Sequence, residues 1–454
     1  MSTNKDERHI SSSPTWDNPK IEGHKLEGNI YTSKEVLQKE LDYLWPNVWL
    51  LMGRADEIPD TGDYQTEELG KESFIMVRQN DLSIKTFFNV CQHRGARLAH
   101  NPIGFNEAFK CPYHGWTWEL DGTLSHAQDS EDFPEGNPCG KLTLQEAKTE
   151  IFAGFIWINM NPECKPLKEE LGPVWDDWKA YEIHNWKRYQ AQTVNLPCNW
   201  KLVLDNFNES YHVPTVHAPL GTEAEKKRMA SGVDTDYKNT QFDLSNQGHN
   251  RMIMKGGYAK GIAELPGGEI GEPLASVMKE WSLNPKDFKG KGLETREALQ
   301  KAKRKIGKVK GYSHYDNLRD EQLTDAFHYT LFPNFAVSLW ADGFHFLRAR
   351  PHATDPERCV FDNWWYSSQP EHETAPVRTT VGIVEREEEV EHDVFELGEK
   401  SCGVTIDGDI AMFQIQQMGV KSSAYKGAYL SGQESRVSRF HEMIDNFIEK
   451  YSKD

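Results

Sequence analysis

Followed by the spacing of its apolar positions, the chain changes texture twice. Val36, Leu37, Leu41, Leu44 and Trp45 recur at helical spacing behind Thr32, with Glu35 as capping-box partner and Pro46 as a stop, which predicts a helix over 32–45. From about 47 to 160 the apolar residues fall in short runs such as ESFIMVRQ, LSIKTFFNV and EIFAGFIWINM, parted by Gly, Asp, Asn and Pro. That pattern predicts an antiparallel β domain. Beyond Pro166 helical and strand patterns mix, and FHYTLFPNFAVSLW, FHFLRARPHA and RCVFDNWWYS predict a second sheet. The fold class expected is α+β: a segment 1–46, a β domain 47–165, and a helix-and-antiparallel-sheet domain 166–454 against which the first segment packs.

Composition narrows the class. A chain of 454 residues with 37% apolar content has room for two cores. Its net charge of −18 argues against nucleic acid as a partner, because phosphate binding needs surplus Lys and Arg. The polar start and the lack of a long uncharged apolar stretch predict a cytoplasmic protein with no membrane partner. Seven cysteines, five of them scattered, do not make a disulfide framework. Residues 286–310 hold ten Lys or Arg against three acids, first a solvated face and second a docking strip.

Chemistry concentrates in CQHRGARLAHNPIGFNEAFKCPYHGWTW, where Cys91 and His93 form one close pair and Cys111 and His114 another. Two thiolates and two imidazoles suit either a zinc ion or a two-iron cluster. Ligand order separates them: each loop supplies one sulfur and one nitrogen, so one iron can take both sulfurs and the other both nitrogens. With HRG after the first pair and PYHGWTW around the second, the segment resembles the Rieske family and implies a [2Fe–2S] cluster of raised potential.

A second constellation follows in NWKLVLDNFNESYHVPTVH. Glu209 and His212 are three apart on what reads as one helix face, and Pro214 breaks the helix so that His217 turns back. Two histidines and a carboxylate are the facial triad of oxygen-activating ferrous enzymes. The stretch resembles the mononuclear-iron motif of Rieske non-haem iron ring-hydroxylating oxygenases, alpha subunit. That resemblance implies His212 and His217 as ligands to a mononuclear Fe(2+) and Glu209 as the bridging acid, with Asn206 beside it as a second catalytic candidate. The family's third ligand is an aspartate shortly before Gln-x-Gly, which favours Asp409 over Asp407, the other acid serving as a helix cap.

The resemblance further implies a helix-grip-like catalytic domain at 166–454 and a Rieske domain at 47–165. It implies O2 and a small-molecule substrate, electrons from NAD(P)H through a reductase or ferredoxin, and a homotrimer with or without a beta subunit. An aromatic or other hydrophobic substrate is expected, hydroxylated or cis-dihydroxylated; Phe207, Phe327, Phe332, Phe335, Trp340, Phe344 and Phe346 read first as core and second as the lining of its pocket. A quaternary amine or methoxy compound undergoing demethylation is the alternative, and an electron-transfer protein the reading from another class.

Overall fold

The computed structural model describes residues 13–21, 23, 25–217, 240–255, 264–265, 267–272, 274–372 and 375–453. Its contacts divide the chain into two compact units. One comprises 33–170, 350–356 and 444–454; the other comprises 1–32, 171–349 and 357–443.

In the first unit, strands β1 (Leu50–Arg54), β2 (Asp63–Leu69), β3 (Glu72–Arg78), β4 (Ile84–Phe88), β5 (Ile103–Phe105), β9 (Glu146–Phe152) and β10 (Phe155–Asn159) form a sheet in the order β1-β10-β9-β4-β3-β2-β5. A smaller sheet, β6 (Ala108–Lys110), β7 (Thr117–Glu119) and β8 (Leu124–His126), follows the same antiparallel rule. Tyr64, Ile75, Val77, Phe87, Phe109, Trp118 and Leu124 enclose Cys91 and Cys111 in one apolar cluster.

The N-terminal segment departs from expectation. Residues 33–46 belong to this first unit, not to the larger one, because Leu41 packs over Gly70 and Asp42 pairs with Lys71 at 3.4 Å. The helix cap is Ser33, whose hydroxyl accepts from the Val36 N–H, while Thr32 donates back to the Gly28 carbonyl. Past Lys39 the helix widens into a π turn over Glu40–Leu44 before Pro46.

The second unit is built on β11 (Lys187–Leu196), β12 (Gln241–Leu244), β13 (Asn250–Met254), β14 (Ala326–Leu331), β15 (Phe335–Leu339), β16 (Gly343–Pro351) and β17 (Cys359–Ser367). A short ribbon of β18 (Val377–Arg378) and β19 (Ile383–Val384) stands apart, and β20 (Asp393–Glu396) completes the order β12-β13-β14-β15-β16-β17-β11-β20. The pairings from β12 through to β16, and that of β11 with β17, are antiparallel, whereas β11 pairs with β20 in parallel. Helix Trp200–Phe207 packs on β15, on β17 and on helix Val404–Gly419.

Strand alternation gives this sheet two unlike faces. Phe335 meets Phe346 and Trp178, Phe346 stacks on Trp364, Phe344 on Tyr366, and Phe327 lies beside Tyr329 and Arg251. The opposite face meets the helices through Phe361, stacked on Phe207, and His328, bonded to the Phe207 carbonyl. Four of the seven aromatics weighed between core and pocket lining, Phe327, Phe335, Phe344 and Phe346, therefore form the far-side core. Phe332 packs on Phe440 of the closing helix Ser435–Tyr451, and Trp340 stacks on Trp365.

The basic run also resolves. Arg296 is bonded to Asp325, Arg304 to Asp320 and to the Tyr315 and Leu318 carbonyls, and Lys303 to the Leu323 carbonyl. These cations build the domain, which leaves a shorter exposed set for any docking role.

Candidate metal centres

The two Cys–His loops are copies of one turn. Cys91 donates its N–H to the Ala96 carbonyl and accepts from Gly95; Cys111 donates to Trp116 and accepts from Gly115. Each loop turns at its glycine, with φ of 77° at Gly95 and 70° at Gly115, a conformation costly for other residues. The thiols are buried, whereas His93 and His114 lie nearer the surface with ring centroids 4.6 Å apart, His93 stacked on Trp116. Burial first, then the neighbouring Cys111, pushes the Cys91 thiol up.

Nδ1 of His93 and Nδ1 of His114 are both buried without a hydrogen-bond partner among the described residues. Buried polar atoms are rarely left unpaired, so these two orphan ring nitrogens, each in a Cys–His loop, are candidate ligand positions. A single tetrahedral ion would draw at least three ligand atoms close together. Among the described residues only His212, His217 and Asp409 bring three within 4.8 Å of one another. The wider Cys–His set therefore fits a two-iron cluster, sulfurs at the inner end and nitrogens at the outer.

The second site hangs on helix Trp200–Phe207. Asn199 caps it, accepting from the Lys201 N–H at 3.0 Å, and its own N–H donates to Gln417 Oε1 at 2.8 Å. That bond ties the start of the helix to helix Val404–Gly419. The helix ends at Phe207, so Glu209 and His212 do not share a helix face as expected. They sit in the following turn, where the Glu209 carboxylate accepts from the backbone N–H groups of Tyr211 and His212 and approaches His212 Nδ1 at 2.5 Å. Pro214 does not break a helix; it lies in the first turn of a new one, Val213–Val216, which delivers His217 at its end.

The Nε2 atoms of His212 and His217 stand 3.3 Å apart, and Asp409 Oδ1 lies 3.3 Å from the first and 3.2 Å from the second. Two metal–ligand bonds of about 2.1 Å, opening between a right angle and a tetrahedral one, span about 3.0–3.4 Å, so the three atoms form one face around an ion. The buried Asn206 amide donates to the same Asp409 oxygen at 3.2 Å. Burial works against ionisation here, but the imidazoles of His212 and His217 outweigh it and hold the Asp409 carboxyl below its usual range. Burial likewise opposes a charged His212, yet Asp409 and Glu209 together push it up to about 9. The site attracts positive charge, as a metal site should.

The two aspartates differ in their surroundings, and the N-cap position of their helix is Gly403, not Asp407 as expected. Asp409 is 2% exposed and faces the histidines, whereas Asp407 accepts from the Ser401 hydroxyl and the Cys402 N–H at the start of the same helix. Asp205 is committed elsewhere, accepting from Tyr31 at 2.7 Å and contacting His441 Nε2 at 2.8 Å. Sequence reasoning missed a polar row on the site-facing sheet surface: His328, Ser338 and His345, adjacent in register on β14, β15 and β16. Their signal was parity, since they alternate with the far-side aromatics.

Comparison with known proteins agrees. Residues 183–450 match the family of ring hydroxylating alpha subunits (catalytic domain), and residues 48–137 match the Rieske [2Fe-2S] domain. The carnitine monooxygenase oxygenase subunit of Escherichia coli (strain K12) is 31% identical over 46% of this chain and 56% of its own length. The biphenyl dioxygenase subunit alpha of Paraburkholderia xenovorans (strain LB400) is 28% identical over 57% of this chain and 58% of its own. The chain thus spans just over half the length of these relatives. A crystal structure of a quaternary ammonium Rieske monooxygenase shares the fold, with a TM-score of 0.63 at 18% identity over 95% of this chain and 96% of that one. No helix among the described residues is long and apolar enough to cross a membrane. With a two-sulfur, two-nitrogen loop pair in one unit and a three-atom facial site in the other, the chain belongs to the Rieske ring-hydroxylating oxygenase alpha subunits, whose cofactors are a [2Fe–2S] cluster and a mononuclear iron.

Proposed function

We propose that this chain is an oxygenase component that uses O2, and electrons from NAD(P)H passed through a separate reductase or ferredoxin, to hydroxylate a small organic ring compound. The observation that carries the reading is the His212–His217–Asp409 face, three ligand atoms within 3.3 Å that leave the other side of an ion open. Cys91 and Cys111 would hold one iron of the cluster, and Nδ1 of His93 and of His114 the other. When bound, the mononuclear iron supplies O2 activation and the cluster supplies single electrons.

The remaining roles belong to side chains around the ligands. Asn206 fixes one lone pair of Asp409 so that its oxygen stays turned toward the histidines. Glu209 holds His212 by Nδ1, which keeps Nε2 toward the metal side and raises the ring's basicity, as carboxylates behind metal-bound histidines do. In a homotrimer Glu209 would also reach the neighbouring subunit's cluster histidine and link the two centres.

A second reading, removal of an alkyl group from an amine, is supported by the likeness to a carnitine monooxygenase subunit. One experiment tests the proposal and sorts the two: measure iron per chain, then O2 uptake and products with reduced enzyme across ring compounds and alkylamines. About three irons and coupled product are expected. Two irons without O2 uptake would leave an electron carrier instead.

A further inference from the structure

The polar row on the site-facing sheet surface is built with one hydrogen-bonding sense. His328 Nε2 lies 2.6 Å from the Phe207 carbonyl, which can only accept, so that nitrogen carries the proton. Its Nδ1 must then accept, and at 2.8 Å the Ser338 hydroxyl donates to it. Ser338 has spent its one proton and presents only lone pairs.

The neighbouring strand repeats the logic through a longer chain. The Asn363 amide donates to the Cys402 carbonyl at 2.9 Å and to Gln192 Oε1 at 3.0 Å, while Gln192 donates to the Ser401 carbonyl at 2.9 Å. Two backbone carbonyls therefore fix which way both amides point. Asn363 Oδ1 must accept, at 2.6 Å, from His345 Nε2–H. His345 Nδ1 is left as an acceptor with no partner among the described residues.

Ser338 is partly exposed although β15 is hydrogen-bonded on both sides, and His345 keeps 8% of its surface. They are direct cross-strand partners, which sets their Cβ atoms about 4.5–5.5 Å apart. The candidate iron site is near: His328 is bonded to the Phe207 carbonyl, two residues before Glu209, and Phe207 meets Phe413 of the helix that carries Asp409. Burial holds both rings neutral, at about 3 for His328 and about 4 for His345.

We propose that Ser338 and His345 form a paired acceptor site in the substrate pocket that binds a hydroxyl or N–H donor on the compound to be oxidised. The inference rests on the oxygenase reading and deepens it. A plain hydrocarbon would leave two desolvated acceptors unpaired, and a carboxylate or a fully alkylated ammonium brings no N–H or O–H donor to satisfy them.

The test uses ligands that share one ring and differ in donor capacity: 2-naphthol, 2-naphthylamine, 2-methoxynaphthalene, 2-methylnaphthalene and the N,N,N-trimethyl-2-naphthylammonium ion. Equilibrium binding to the iron-loaded, full-length protein is measured for each, with O2 uptake followed separately. Naphthol and naphthylamine should bind at least about tenfold tighter than the three compounds without a donor. Ser338→Val and His345→Phe should bring that ratio to about threefold or less while binding 2-methylnaphthalene at least as well as the parent does. Equal binding of all five ligands, no binding, or an unchanged ratio in the variants would overturn the proposal. If His345→Phe fails to fold, Ser338→Val decides alone. Donor-dependent binding without O2 uptake would instead remove the oxygenase reading and keep the acceptor pair; uptake without donor preference does the reverse.

Discussion

Replacing Asp409 by alanine should strip the mononuclear iron and leave the cluster in place. Asp409 Oδ1 touches three partners, His212 at 3.3 Å, His217 at 3.2 Å and Asn206 at 3.2 Å, inside a site where the residue is 2% exposed. Losing a group that merely supports a ligand costs about 10–100-fold in metal affinity, so losing a ligand atom should cost more than about 100-fold, or ~2.7 kcal/mol. Asp407→Ala removes only an acceptor for Ser401 and Cys402 at the helix start, worth about 0.5–2 kcal/mol of stability. It should melt a few degrees lower with its iron intact. Iron analysis after desalting, read with the visible spectrum of the cluster, separates the two: about two irons per chain for Asp409→Ala and about three for Asp407→Ala, spectra alike. If Asp407→Ala lost the third iron while Asp409→Ala kept it, the facial assignment built on Asp409 would be wrong.

His93→Ala and His114→Ala should each abolish the cluster's visible spectrum while the mononuclear site still loads iron; a normal spectrum in either would remove that histidine from the ligand set. Glu209→Gln should retain both metals yet slow reoxidation of the reduced cluster, with substrate and O2 present, by more than about 100-fold, and wild-type reoxidation would return Glu209 to a turn-capping role. The last concerns pH. His328 and His345 take up a proton in the fold only near 3 and 4, whereas in the unfolded chain they do so near 6.5, so the unfolded state binds more protons between these values. Their share of the stability is complete above about pH 6.5 and falls as pH drops, by about 2 kcal/mol per histidine at pH 5. His345→Phe should lose about half of this slope in denaturant titrations from pH 7 to 5, and parallel curves would show that His345 is not held neutral.

Both metal sites were legible because their chemistry is written in short sequence spans. The Cys–His loops close on themselves through bonds between residues four and five apart, so no distant element is needed to set them. Asp409 was picked out by its offset from Gln417, and Gln417 pins Asn199, which ties helix Val404–Gly419 to the start of helix Trp200–Phe207. Where spacing alone was used, local geometry differed. Glu209 and His212 come together because a carboxylate caps a turn, not because a helix repeats. Nothing in a helical count distinguishes those two cases. The N-terminal helix was found, but its allegiance was not, since Leu41 and Asp42 meet partners that only the folded β domain brings within reach.

Residue type alone left Phe327, Phe335, Phe344 and Phe346 between core and pocket, because in a strand the choice of face is set by odd or even position. Phe207 and Phe361 identify the site-facing side, and stepping two residues at a time along β17 and across its neighbours brings Asn363, His345, Ser338 and His328 into the same surface. Aromatic residues packed against one another on the far face make that face a core, which frees the near face from supplying the sheet's apolar burial. Polar side chains can persist there because each proton has an acceptor, a carbonyl, an amide oxygen or, for Ser338, the His328 Nδ1. Ser338 and His345 keep acceptor sites that no described residue satisfies, and under the proposal above a substrate's donor would fill them.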